Sequence, residues 1–190
     1  MADPAPRGRF LEMGGGAASL AQNGNAARTL GSYPPEMTYE IFKFVHLLGV
    51  ISLLGNVTVT SAWKVLSDRT RDPVIIARAQ RLVTLTDWAF TFWGILLLLV
   101  GGYGAAWVAG MDVLRDRWIV LSEISFVLAG MLWLCVLVPI QVKQARMARG
   151  FVAGVPVPEA YFVLSRWWIA VGLLATVPLL AAMWFMVAKG

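Results

Sequence analysis

The sequence contains one cysteine and one histidine in 190 residues, and only 14% of its residues are charged. A lone cysteine, Cys135, closes no disulfide within the chain and builds no thiolate-based metal motif. It lies in an apolar run, where the expected role is that of a small buried hydrophobe. A lone histidine is thin material for a metal centre. No CxxC, HExxH or Ser-His-Asp arrangement occurs, and the glycines of VGGYGAA lack the strand and the GKS/T context of a phosphate loop. Soluble domains carry about 25% charged residues, so this chain has too few to cover a water-exposed surface. Its sixteen Lys and Arg are scattered, without an aromatic-basic patch, and nucleic acid is not an expected partner.

What the chain does have is hydrophobic residues, 58% of the total, gathered in long uncharged runs. A helix rising 1.5 Å per residue needs about 20 apolar residues to cross ~30 Å of hydrocarbon. Four runs meet that need, at about 41–63, 88–108, 118–142 and 167–187. They do not alternate at period two, which excludes the strands of a closed barrel. Trp63, Trp88, Trp107, Trp118, Trp167, Trp168 and Trp184 sit near the run ends, where an indole prefers the headgroup level. The sequence therefore predicts an all-α, polytopic membrane protein: a four-helix bundle in contact with a lipid bilayer. Aligning Lys64 with Lys143 brings Trp88 onto Trp167, so two similar hairpins in tandem are a further expectation.

Residues 1–36 are rich in Gly, Ala, Pro and Asn and hold no apolar run of signal-peptide length. A disordered tail is expected there, with the membrane domain over 37–190. Met37, or less readily Met13, is a candidate start codon. The connections at 64–87 and 143–166 carry most of the basic residues. By the positive-inside rule they face the cytoplasm, and both termini face the periplasm of a bacterial inner membrane. Within the first connection, Val74, Ile75, Ala79, Leu82 and Val83 follow Pro73 at helical spacing. They predict an amphipathic surface helix that merges into the second span. Lys64 and Lys143 are expected to snorkel to the headgroups, and Asp87 to favour the N-terminus of the second span.

Ionisable groups inside a membrane are expensive and point to function by default. His46 lies about five residues inside the first span, roughly 8 Å below its boundary. At 100° per residue His46, Gly49, Leu53, Asn56, Thr60 and Lys64 form one stripe, the side that should face other helices. Glu123 is the only acid well inside a span, at a depth similar to that of His46. Tyr103, Met183 and Met186 reach the same layer. Three readings stay open. His46 is an axial ligand of haem b, with Glu123 or Asn56 fixing its other ring nitrogen. Alternatively, His46, Glu123 and methionines hold a soft metal such as copper. In the third, His46 and Glu123 pair to lock the bundle, move a proton or contact a quinone. Structural satisfaction of two buried polar groups competes with all three.

The segments KFVHLLGVISLLGN, ARAQRL and TDWAFTFWGILLLLVGGYG together resemble a bacterial family of predicted integral membrane proteins, domain of unknown function 2269, over about Met37 to Gly190. That family carries no activity to transfer. The early histidine before a glycine-rich turn of helix is also similar to HemJ-type protoporphyrinogen oxidases and CopD-type copper proteins. In those proteins the corresponding histidine is implicated in haem or metal binding. His46 is the position that matches, with Gly55-Asn56 as the small pair, and the further histidines of the copper family are absent. The expectation is an accessory or non-catalytic inner-membrane protein, with haem b as the candidate cofactor and His46, Glu123, Asn56 and Tyr103 as candidate site residues. It would act as a homo-oligomer or within a larger membrane redox complex. The alternatives are an oxidoreductase of porphyrin or quinone chemistry and a purely structural subunit.

Overall fold

A chain surrounded by hydrocarbon must satisfy its backbone polar groups internally, and helix does this within each segment. The computed structural model describes residues 35–189, and among them every regular element is helical. The chain divides into Met1–Met37 and Thr38–Gly190, and the second unit carries the candidate site. The expected disordered tail falls outside the described residues, except for Pro35 and Glu36, which open the first helix.

The helices are α1 (Pro35–Thr70), α2 (Pro73–Thr86), α3 (Trp93–Val108), α4 (Arg117–Leu132), α5 (Val138–Ala148) and α6 (Glu159–Ala188). A π-helical turn, Asp87–Phe92, joins α2 to α3 without a break, and another, Trp133–Leu137, joins α4 to α5. The result is four rods, all long and apolar enough to cross a membrane. The rods have 30 to 36 residues, or about 45–54 Å at 1.5 Å per residue, well beyond the ~30 Å of hydrocarbon. The excess lies mainly at one end, the basic end, where the two long connections were expected. Those connections are therefore mostly helix. The first closes to Arg71 and Asp72, and the second to 149–158.

Local chemistry explains the breaks. Asp72 caps α2, its Oδ1 accepting from the N–H groups of Val74 (2.8 Å) and Ile75 (3.0 Å), and Pro73 supplies a preset φ at the first helical position. Arg71 takes a left-handed φ of 55° to make the turn. Pro139 has no N–H for the Cys135 carbonyl, and the π turn just before it takes up the lost register. The turn at Asp87 has no proline to account for it.

Helix α2 does not lie flat on a membrane surface. It continues the second rod and buries Ile76, Gln80 and Val83, packing along α5. Helices α4 and α6 pack extensively on each other. Rods one and two touch backbone to backbone. A Cβ on Gly49 would stand 2.7 Å from the Gly94 carbonyl oxygen, and one on Gly101 2.7 Å from His46 Cα. Gly49, Leu53, Asn56, Thr60 and Lys64 are all buried and His46 half-buried, so the predicted stripe is the inward face of α1. Ile51 and Leu48 on its other side are exposed, as lipid-facing residues should be. Cys135 differs from its expected burial. It is exposed on the outer side of the second π turn, where lipid covers the thiol.

Candidate functional site

The α1 stripe runs through Asn56, Thr60 and Lys64 toward Asp68, positions three or four apart on one face. Facing it at the basic end are Gln80 of α2, Gln144 of α5, and Tyr161 and Ser165 of α6. Lys64 is only 2% exposed, so its expected snorkelling does not occur. Its Nζ donates to Gln80 Oε1 and to Tyr161 Oη, both at 3.0 Å, and lies 3.6 Å from Asp68 Oδ2. The Gln144 amide, oriented by the donors around it, accepts from Lys64 Nζ and the Ser165 N–H at 3.2 Å each. Ser165 Oγ donates to Asp68, and Tyr161 Oη donates to Gln80 Oε1 at 3.2 Å. The ammonium also lies 4.8 Å from the Tyr161 ring centroid and 5.8 Å from that of Trp168. A buried charge is tolerable only when paired and fully hydrogen-bonded, and here an anion, two amides, a phenol and two rings meet that need.

About two helical turns toward the bundle centre is a second polar group, centred on Asp87. Its Oδ1 accepts from Asn56 Nδ2 at 2.8 Å and Thr91 Oγ1 at 3.3 Å, and its Oδ2 accepts from Gln141 Nε2 at 2.8 Å. Asn56 Nδ2 also donates to Thr91 Oγ1 at 2.9 Å. These residues come from rods one, two and three. Asp87 is therefore not at a helix N-terminus, as the sequence suggested, but in mid-rod, on the π turn that aims it inward. Among the described residues no Lys, Arg or His stands within ion-pair distance of it. Three neutral donors solvate the carboxylate, and no described side chain neutralises it.

Asp87 borders a cavity of about 70 Å³ lined by residues of all four rods, among them Thr91, Phe126, Trp133, Trp168 and Thr176. Both π turns contribute to its wall. Such turns are frequent at functional sites because they displace a side chain from the regular helical register. Trp168 lines the cavity on one side and packs near Lys64 on the other, and its indole N–H has no partner. Gly130 and Gly172 also line the cavity, and a Cβ on either would meet nothing within 4 Å.

The four residues singled out from the sequence separate into three places. His46 Nδ1 lies 2.8 Å from the Leu98 carbonyl oxygen. A carbonyl only accepts, so Nδ1 carries a proton, and in the neutral ring Nε2 holds the lone pair. Tyr103 and Glu123 interact with each other across α3 and α4. Neither Glu123 nor Asn56 holds the His46 ring, because Leu98 does. Asn56 belongs to the Asp87 group, ten residues or about 15 Å farther along α1.

A family model described as Predicted integral membrane protein (DUF2269) matches residues 40–190. The chain belongs to this family. Every residue of the two polar groups lies within the matched stretch, as does the cavity. No curated protein and no solved structure matches the chain.

The sequence reading missed the roles of Asp68, Gln80, Gln141, Gln144, Tyr161 and Ser165. A signal existed in their spacing. Gln80 and Asp87, Gln141 and Gln144, and Tyr161, Ser165 and Trp168 each fall on one helical face with separations of three, four or seven. Each set continues the inward face of its rod to or past the end of the hydrophobic run, where a hydropathy reading stops looking.

Proposed function

We propose that this integral membrane protein is a non-catalytic ligand-binding protein, and that its site is the cavity bordered by Asp87. The observation that carries this is the state of the carboxylate. It is held by Asn56, Thr91 and Gln141 from three rods, lacks a cationic partner among the described residues, and faces open space rather than packed side chains. A polar group that served only to lock the bundle would be closed over by its partners, as the Lys64 group is. The distribution of Lys and Arg supports a bacterial inner membrane with the basic end toward the cytoplasm and both termini in the periplasm. The cavity would then open nearer the cytoplasmic leaflet.

The test uses Gly130→Leu. The new side chain enters unoccupied volume and removes a helix-interior glycine, so the fold should be kept or slightly stabilised, by up to about 1 kcal/mol. Small molecules extracted from gently purified protein are compared by mass spectrometry between the native chain and this variant. A compound that copurifies with the native protein and is lost from Gly130→Leu supports the site. Identical extracts from the two would sink it.

A second reading rests on His46. With Nδ1 engaged by the Leu98 carbonyl, Nε2 is left available in the arrangement that orients a metal-ligating imidazole. Haem b bound through His46 would occupy a site separate from the Asp87 cavity, which His46 does not line. Protein purified from cells supplied with haem precursors should show a Soret band that His46→Ala removes. A colourless native protein of normal stability would exclude it.

A further inference from the structure

We infer that the Asp87 cavity takes a small organic cation, an alkylammonium with a few carbon atoms. This rests on the proposal that the cavity is a binding site and names its ligand class. The argument is one of charge and surroundings. Asp87 is hydrogen-bonded but not neutralised, and the nearest buried cation on the α1 stripe, Lys64, is committed to Asp68, Gln80 and Tyr161. Transferring an uncompensated carboxylate into a bundle is unfavourable until a positive charge, a proton or a bound cation, joins it. The remaining wall is mainly apolar and includes Phe126, Trp133 and Trp168. Aromatic faces attract a cation, more strongly as water is excluded, and they suit an alkylated ammonium better than a hydrated ion.

An inorganic ion fits less well. Hard cations need six or more oxygen ligands, and two of the groups nearest the carboxylate present amide N–H donors, Asn56 Nδ2 and Gln141 Nε2. Size sets the scale. A cavity of 150 Å³ admits benzene, so about 70 Å³ admits a smaller molecule.

The experiment measures binding of radiolabelled dimethylammonium, a cation smaller than benzene, to the full chain in lipid nanodiscs. Empty nanodiscs give the background, and ethanol, labelled in a parallel measurement, serves as a neutral competitor of similar size. The expected result is saturable binding, with the cation preferred over ethanol by at least about tenfold. Asp87→Asn, which keeps the shape of the carboxylate, should abolish that preference, and Gly130→Leu, which leaves the polar group untouched, should abolish binding. If ethanol competes as well as unlabelled dimethylammonium, or Asp87→Asn binds the cation unchanged while folded, the cation inference is overturned and the cavity remains a site for neutral molecules. If neither molecule binds, or Gly130→Leu binds like the native chain, the inference and the site proposal both fail.

Discussion

Replacing Lys64 with methionine keeps the length and apolar stem of the side chain and removes its charge and its three donors. In the native protein the ammonium is 2% exposed and Asp68 is 12% exposed, so neither partner can exchange the other for bulk water. The substitution leaves the Asp68 carboxylate without its cation, and leaves Gln80, Gln144 and Tyr161 without the donor they surround. Breaking one partner of a buried pair is destabilising by about 3–5 kcal/mol, or roughly two to nearly four orders of magnitude in the folding equilibrium. Reversible unfolding in mixed micelles, titrated with a denaturing detergent and followed by circular dichroism, reads this directly. The double variant Lys64→Met with Asp68→Leu should recover much of the loss, because the charges leave together. A loss of less than about 1 kcal/mol for Lys64→Met is the value for an exposed pair. It would mean that Lys64 reaches headgroup water after all, and that the network around it is not a closed unit.

Two further predictions concern the scaffold, measured by the same unfolding assay. Gly101→Ala places a methyl group against the His46 backbone, so the α1–α3 contact must open, at a loss of about 1–3 kcal/mol. Gly172→Ala meets no atom and should gain up to about 1 kcal/mol from helix propensity; equal effects at the two sites would refute the close approach of the rods. At the basic end, Asp72→Ala removes the α2 cap and should destabilise by about 0.5–2 kcal/mol. Glu159→Gln, which breaks an Arg71 pair that is more than two-thirds exposed on both sides, should stay within about 1 kcal/mol.

Much of the architecture was legible without coordinates, because the bilayer imposes it. Twenty apolar residues and an interfacial indole mark a span wherever the rest of the chain goes, and the small and polar stripe on α1 announced its own burial. What failed was the assumption that a polar residue ends a span. Lys64, Asp87 and Lys143 all looked like boundary residues. Yet the helices run on through them, since backbone hydrogen bonding does not depend on side-chain polarity. The proposed likeness of Lys64 and Lys143 shows the limit of spacing alone. The first is enclosed by four segments and the second is exposed.

The single histidine, the single cysteine and the scarcity of charge were enough, by themselves, to exclude a soluble domain, a disulfide framework and a thiolate centre. They also drew attention to His46 and Glu123, as the groups costliest to place in a membrane. Where polar side chains meet was decided only by tertiary structure. Asp87 acquires Asn56, Thr91 and Gln141 because a π turn with no proline to signal it rotates the carboxylate into the bundle. Lys64 acquires its shell because residues 16 and 97 positions away, Gln80 and Tyr161, are carried to it on separate rods. Hydropathy is a property of each residue and its neighbours in the chain, whereas the compensation of a buried charge is a property of whatever the fold brings within 3 Å of it.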